Sequence, residues 1–138
     1  MNIVICGSMS ASKEMMEVGK YLEENGHEVV LPKNTDKYAE NVLAPETNHE
    51  STENKIKNDL IREHFRHIEN ADAVVVVNVD KGEKKHYIGA NSFLEAGFAH
   101  VLRKPLYLLN DVEDSFYSDE LRAMQPVILY SDISKILN

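Results

Sequence analysis

Within the stretch YIGANSFLEAGFAH, residues 87 to 100, Glu95 is the only carboxylate among small and apolar neighbours. Two chemistries fit it. Ser92 stands three residues earlier, so the pair matches a capping box, in which a Glu reaches back to the backbone N–H at a helix start. Alternatively the carboxylate sits in a cleft, where burial penalises its charge and a helix N-terminus compensates, and it acts as a nucleophile. Carboxylates attack anomeric carbons through oxocarbenium-like transition states.

Three further groups carry candidate chemistry. In CGSMSAS, residues 6 to 12, Gly7 permits a tight turn and Ser8 and Ser10 bring hydroxyls to a helix N-terminus. Such an end either binds a phosphate or is simply N-capped by its serine. His64 shares the apolar side of a helix with Ile61 and Ile68; it is either a core-edge histidine or a group that titrates near neutrality and moves a proton. Tyr87, before the Gly89 turn, either stacks on a base or packs on its own domain. Glu63, His64 and His67 lack further ligands at recognisable spacing, so no metal is read, and no cofactor motif appears. Cys6 ends an apolar run and reads as core.

These groups need a scaffold. Apolar runs at 2 to 6, 27 to 32, 71 to 78, 104 to 110 and 126 to 130 alternate with helical periodicity around Ala11 to Leu22, 54 to 70 and Ser92 to Arg103. Asn25-Gly26 stops the first helix. Five strands alternating with helices predict an α/β fold, a doubly wound, five-stranded parallel sheet of flavodoxin-like order in three layers. In the order 2-1-3-4-5 the helices after strands one and three leave on opposite faces. The crevice between them receives both the serine turn and Glu95. Residues 33 to 53 read as a long polar connection, either a surface loop or a lid over that crevice.

Composition bounds the partners. The 138 residues form one expected domain, 43% hydrophobic and 28% charged. A net charge of −8 argues against a nucleic-acid polymer. No run is long and apolar enough for a membrane span, the N-terminus has no signal-peptide pattern, and a single cysteine suits a reducing compartment, so the cytoplasm is expected.

The segments ICGSMSAS, ADAVVVVN, GANSFLEAGFAH and KPLYLL resemble the nucleoside 2-deoxyribosyltransferase superfamily, and most closely its 2'-deoxynucleoside 5'-phosphate N-hydrolase branch. That resemblance, over residues 1 to about 110, implies a flavodoxin-like fold and cleavage or transfer of an N-glycosidic bond through a glycosyl ester on Glu95. It also implies that Gly7, Ser8 and Ser10 hold a 5'-phosphate, and that the chain is a homodimer or larger. The apolar breadth of SFLEAGFAHVL points to the same assembly. Two positions depart from the family pattern. Asn91 replaces a Gly four residues before the nucleophile, where its tolerance of left-handed backbone preserves the turn and its amide faces the sugar. His64 replaces an Asp and takes over orientation of the sugar or base. The substrate is then a small nucleoside or nucleotide contacted by Gly7, Ser8, Ser10, Tyr87, Gly89, Asn91 and Ser92, with Glu95 and His64 catalytic. A non-catalytic nucleotide-binding or sensing module of the same fold is the alternative. A cytokinin-activating phosphoribohydrolase is disfavoured because its paired-glycine signature is missing.

Overall fold

The computed structural model describes residues 1–41, 48–57 and 59–137. In chain order they form β1 (Asn2–Cys6), a 3-10 turn (Met9–Ala11), α1 (Ser12–Glu24), β2 (Glu28–Val30), α2 (Thr35–Ala39) and α3 (Asn48–Lys57). There follow α4 (Leu60–Glu69), β3 (Ala73–Val76), α5 (Ala90–Val101), β4 (Leu106–Leu108), α6 (Ser118–Ala123), β5 (Val127–Ile128) and a closing 3-10 turn (Ile133–Leu137). All strands pair in parallel in the order β2-β1-β3-β4-β5. This is the flavodoxin-like sheet that the alternation of apolar runs predicts.

The strands are apolar on both sides because both sides are covered. From β1, Ile3 and Ile5 pack with Met15, Val18 and Leu22 of α1 and Ile136 of the closing turn. Val4 and Cys6 point the other way, into Ile68 of α4, Ala96 and Ala99 of α5 and Leu121 of α6. The sheet therefore lies between two helical layers, with α1 and α5 on opposite faces. Register is fixed by the same alternation: Val4 is level with Val30 on one side and Val74 on the other. A slip by one residue would exchange the two core faces.

Three expectations are corrected. The helix expected over 54 to 70 is two helices, broken where Asp59 adopts φ 50°; its carboxylate pairs with Arg62 at 3.0 Å and Arg66 at 3.7 Å. The connection from 33 to 53 contains α2 and the start of α3, and the remainder of it, 42 to 47, lies outside the described residues. Lastly, α5 begins at Ala90 with Gly89 at its cap, so Ser92 is the third residue of the helix, not its opener.

At the carboxyl ends of β3 and β4 the sheet is fastened by an amide clasp. The Asn78 side chain donates to the Asn110 carbonyl at 2.7 Å and accepts from the Asn110 N–H at 2.9 Å, while the Asn110 side chain donates to the Asn78 carbonyl at 2.9 Å. Asn78 is fully buried. Asn78→Ala would strand the Asn110 backbone N–H and carbonyl. We expect a loss of about 2–4 kcal/mol in urea unfolding, the cost of unmade bonds to buried polar groups; a change under about 0.5 kcal/mol would show that water replaces the clasp.

Candidate active site

Gly7, Ser8, Ser10, His64, Tyr87, Gly89, Asn91, Ser92 and Glu95, the nine residues singled out in the sequence, all line one open cleft of about 830 Å³ at the carboxyl ends of the strands. Drug-sized and cofactor-sized ligands occupy clefts of roughly this size. Among the described residues four lysines, Lys13, Lys33, Lys55 and Lys81, line it against two glutamates, Glu14 and Glu95. In a chain of net charge −8 that local excess of cations suits an anionic ligand.

Glu95 lies in the second turn of α5 and is 6% exposed. With Ser92 already inside the helix and the cap taken by Gly89, the capping box does not form. The carboxylate's partners are elsewhere. His64 Nδ1 stands 3.4 Å from Glu95 Oε1. That hydrogen bond raises the pKa of His64 above its ordinary value, outweighing the burial that lowers it. The Cys6 thiol, at the end of β1 and fully buried, is electrostatically coupled to Glu95. Burial first, and then the carboxylate's charge, push the thiol's pKa well up, so it is neutral at physiological pH. Cys6 read as core in the sequence, and its contact with Glu95 had no local signal, because it depends on β1 and α5 meeting across the sheet.

The serine turn is a different case. Ser8 caps the 3-10 turn, its Oγ accepting from Ser10 N at 3.4 Å and from Ser10 Oγ at 3.0 Å. Both hydroxyls line the cleft, yet one is already a cap, as one reading of the sequence held. Gly7 is required by space instead of by conformation: a Cβ there would lie 2.8 Å from Met15 Sδ and 3.3 Å from the Val77 carbonyl. Asn91 occupies helical backbone, and so has no left-handed turn to preserve. The N-terminal ends of α1, α4 and α5 all reach the cleft without a side-chain cap, and at α5 Gly89 leaves the first N–H groups open to an anion.

Tyr87 carries two ammonium groups against its ring, Lys81 Nζ at 4.7 Å and Lys84 Nζ at 5.3 Å from the centroid. The arm that holds it is braced at several points. Lys81 and Lys84 exchange backbone hydrogen bonds of 2.9 and 3.0 Å, His86 N–H donates to Asp80 Oδ1 at 3.0 Å, and the Tyr117 phenol donates to the Ile88 carbonyl. Tyr117 also stacks on Phe93 at 4.8 Å, whereas Phe116 is 96% exposed. His67 pairs with Glu63 at 3.7 Å on α4.

The chain matches no family model and no curated protein. Among solved structures it is similar to the 2-deoxyribosyltransferase of the psychrotolerant bacterium Bacillus psychrosaccharolyticus, with 19% identity and a TM-score of 0.59 over 100% of this chain and 91% of that one. It is likewise similar to the CMP N-glycosidase BcmB of Clostridium botulinum, with 15% identity and a TM-score of 0.56 over 99% of this chain and 95% of that one. These are proteins of the kind its sequence motifs resemble, and at such identities the likeness establishes the fold. No described helix is long and apolar enough to cross a membrane.

The His64–Glu95 contact yields a direct test. Because the carboxylate holds the imidazolium, the folded His64 pKa lies above that of the unfolded chain. The contact's stabilisation is complete below about pH 6.5, the ordinary His value, and is lost as pH rises through the raised one. In Glu95→Gln the NMR titration midpoint of His64 should fall, and the parent's advantage in melting temperature over His64→Gln should shrink on the alkaline side. An unchanged midpoint would dissociate the two groups.

Proposed function

We propose that the chain cleaves or transfers the N-glycosidic bond of a nucleoside or nucleoside 5'-monophosphate, with Glu95 as nucleophile. The observation that carries this reading is a buried carboxylate, released from capping duty, that lines a nucleotide-sized cleft with a histidine 3.4 Å from it and a neutral thiol nearby. The fold shared with a 2-deoxyribosyltransferase and a CMP N-glycosidase supports it.

A Glu95 oxygen forms a bond to C1' of the sugar as the C1'–N bond breaks, and its electron pair leaves with the base, which takes a proton from solvent. Water then bonds to C1', the ester bond breaks to restore the carboxylate, and the water's second proton goes to solvent. A second base in place of water completes a transfer. His64 orients the attacking carboxylate through its 3.4 Å contact. The four cleft lysines, the open end of α5 and the Gly7 to Ser10 turn supply the positive field for a 5'-phosphate. Leu94 and Val101, 44% and 78% exposed on α5, support a homodimer formed on that helix.

The test is release of free base from a panel of ribo- and deoxyribonucleosides and their 5'-monophosphates. Glu95→Gln should keep ligand binding and lose at least roughly a thousandfold in turnover. Monophosphates should bind more tightly than nucleosides, and Ser10→Ala should narrow the difference. A parent protein that releases no base, yet melts higher with nucleotide, would be the binding module instead; equal affinity with and without phosphate would remove the 5'-phosphate from the substrate.

A further inference from the structure

Ribonucleosides and 2'-deoxyribonucleosides differ by one hydroxyl, on the carbon next to the one that Glu95 attacks in the proposed reaction. Attack on C1' comes from the face opposite the departing base. In a β-nucleoside the 2'-hydroxyl projects from that same face, trans to the base, whereas the 5'-carbon leaves on the base's own face. The 2'-hydroxyl, and not the phosphate, therefore meets the side chains that flank the nucleophile on α5.

Asn91 is the polar group that α5 places there. It stands four residues before Glu95 in the helix Ala90–Val101, and residues so spaced share one face with their Cβ atoms about 5–6 Å apart. Helical side chains lean toward the N-terminus, so the Glu95 carboxylate is presented over the turn that Asn91 occupies. Both residues line the cleft. Glu95 is buried and engaged by His64 at 3.4 Å, whereas Asn91 is exposed and its amide makes no hydrogen bond to another described residue. It is open to a ligand. Ser92, the other polar side chain of that turn, is only 2% exposed. An amide oxygen accepts from a hydroxyl, and being neutral the group repels neither the carboxylate nor a phosphate.

We propose that Asn91 is a specificity-determining residue whose amide oxygen accepts a hydrogen bond from the ribose 2'-hydroxyl, which makes ribonucleotides the substrate class of the cleft. The proposal rests on the N-glycosidic reading. Positive charge builds on the sugar ring as the C1'–N bond breaks, and the electron-withdrawing 2'-oxygen opposes it. An acceptor for the hydroxyl proton returns electron density to that oxygen, so the contact strengthens in the transition state. A 2'-deoxy sugar has nothing with which to make it.

The experiment measures kcat/KM for adenosine and 2'-deoxyadenosine 5'-monophosphates, and for the corresponding cytidine pair, in the parent and in Asn91→Ala. The readout is the change in the ribo-to-deoxy ratio, which cancels the greater intrinsic lability of deoxyribosides. Asn91→Ala should lower that ratio roughly tenfold or more, the loss expected for a hydrogen bond to the 2'-hydroxyl that is strongest in the transition state. Alanine is the better helix former, so the variant should fold without loss of melting temperature. An unchanged ratio overturns the proposal, including the case in which both sugars slow alike, which would mark a contact to the 3'-hydroxyl or the phosphate. Absence of base release from every substrate would defeat the N-glycosidic reading separately. In that event the rise in melting temperature with the same four nucleotides takes over as the readout. A ribonucleotide preference lost in Asn91→Ala sustains the contact, and the same difference between the sugars in both proteins refutes it.

Discussion

A carboxylate buried at the edge of a hydrophobic core has to be compensated, and the placement of Glu95 organises much of what surrounds it. Removed from water without partners, an ionised carboxylate would cost several kcal/mol. Here α4 brings an imidazole and β1 a thiol to the carboxylate carried by α5. The three groups come from three elements, so they meet only when β1, α4 and α5 are docked.

The parallel order of the sheet makes that docking possible. Because β1 and β3 are neighbours and their following helices depart to opposite faces, two chain segments open a gap at their carboxyl ends that no side chain of the sheet fills. The cleft is a consequence of topology, and its residues are drawn from loops and first helical turns because those are what the topology delivers there. The lysines among its lining contrast with the acidity of the chain as a whole.

The sheet was legible in the sequence because buried parallel strands leave uninterrupted apolar runs, and ADAVVVVN could hardly be anything else. The strands are shorter than those runs, β3 spanning Ala73–Val76, because apolar residues continue into buried turns where pairing has ended. The start of α5 was misjudged at Ser92 for an instructive reason: a strong capping residue does not cap when glycine has already opened the helix three residues before it. The break at Asp59 was hidden because the apolar stripe runs on through it. The nine residues that share the cleft were legible because small residues, serines and an isolated charge stand out in one dimension. The proximity of Cys6, Glu14 and Lys81 to them was not, because it comes from neighbours distant in sequence, and a cysteine in a strand or a glutamate in a first helical turn has an ordinary local explanation.

The amide clasp between Asn78 and Asn110 has a further meaning for how such a protein changes over time. It fixes the point at which the chain leaves β3, and the Tyr117 contact to Ile88 fixes the point at which it returns to α5. Between those anchors the arm of residues 79 to 87 belongs to no strand of the sheet, held instead by Val79 against the core and by His86 against the Asp111 carbonyl and Glu113. The cleft's outer wall is therefore built independently of strand register, while its floor, with Glu95, is tied to the core.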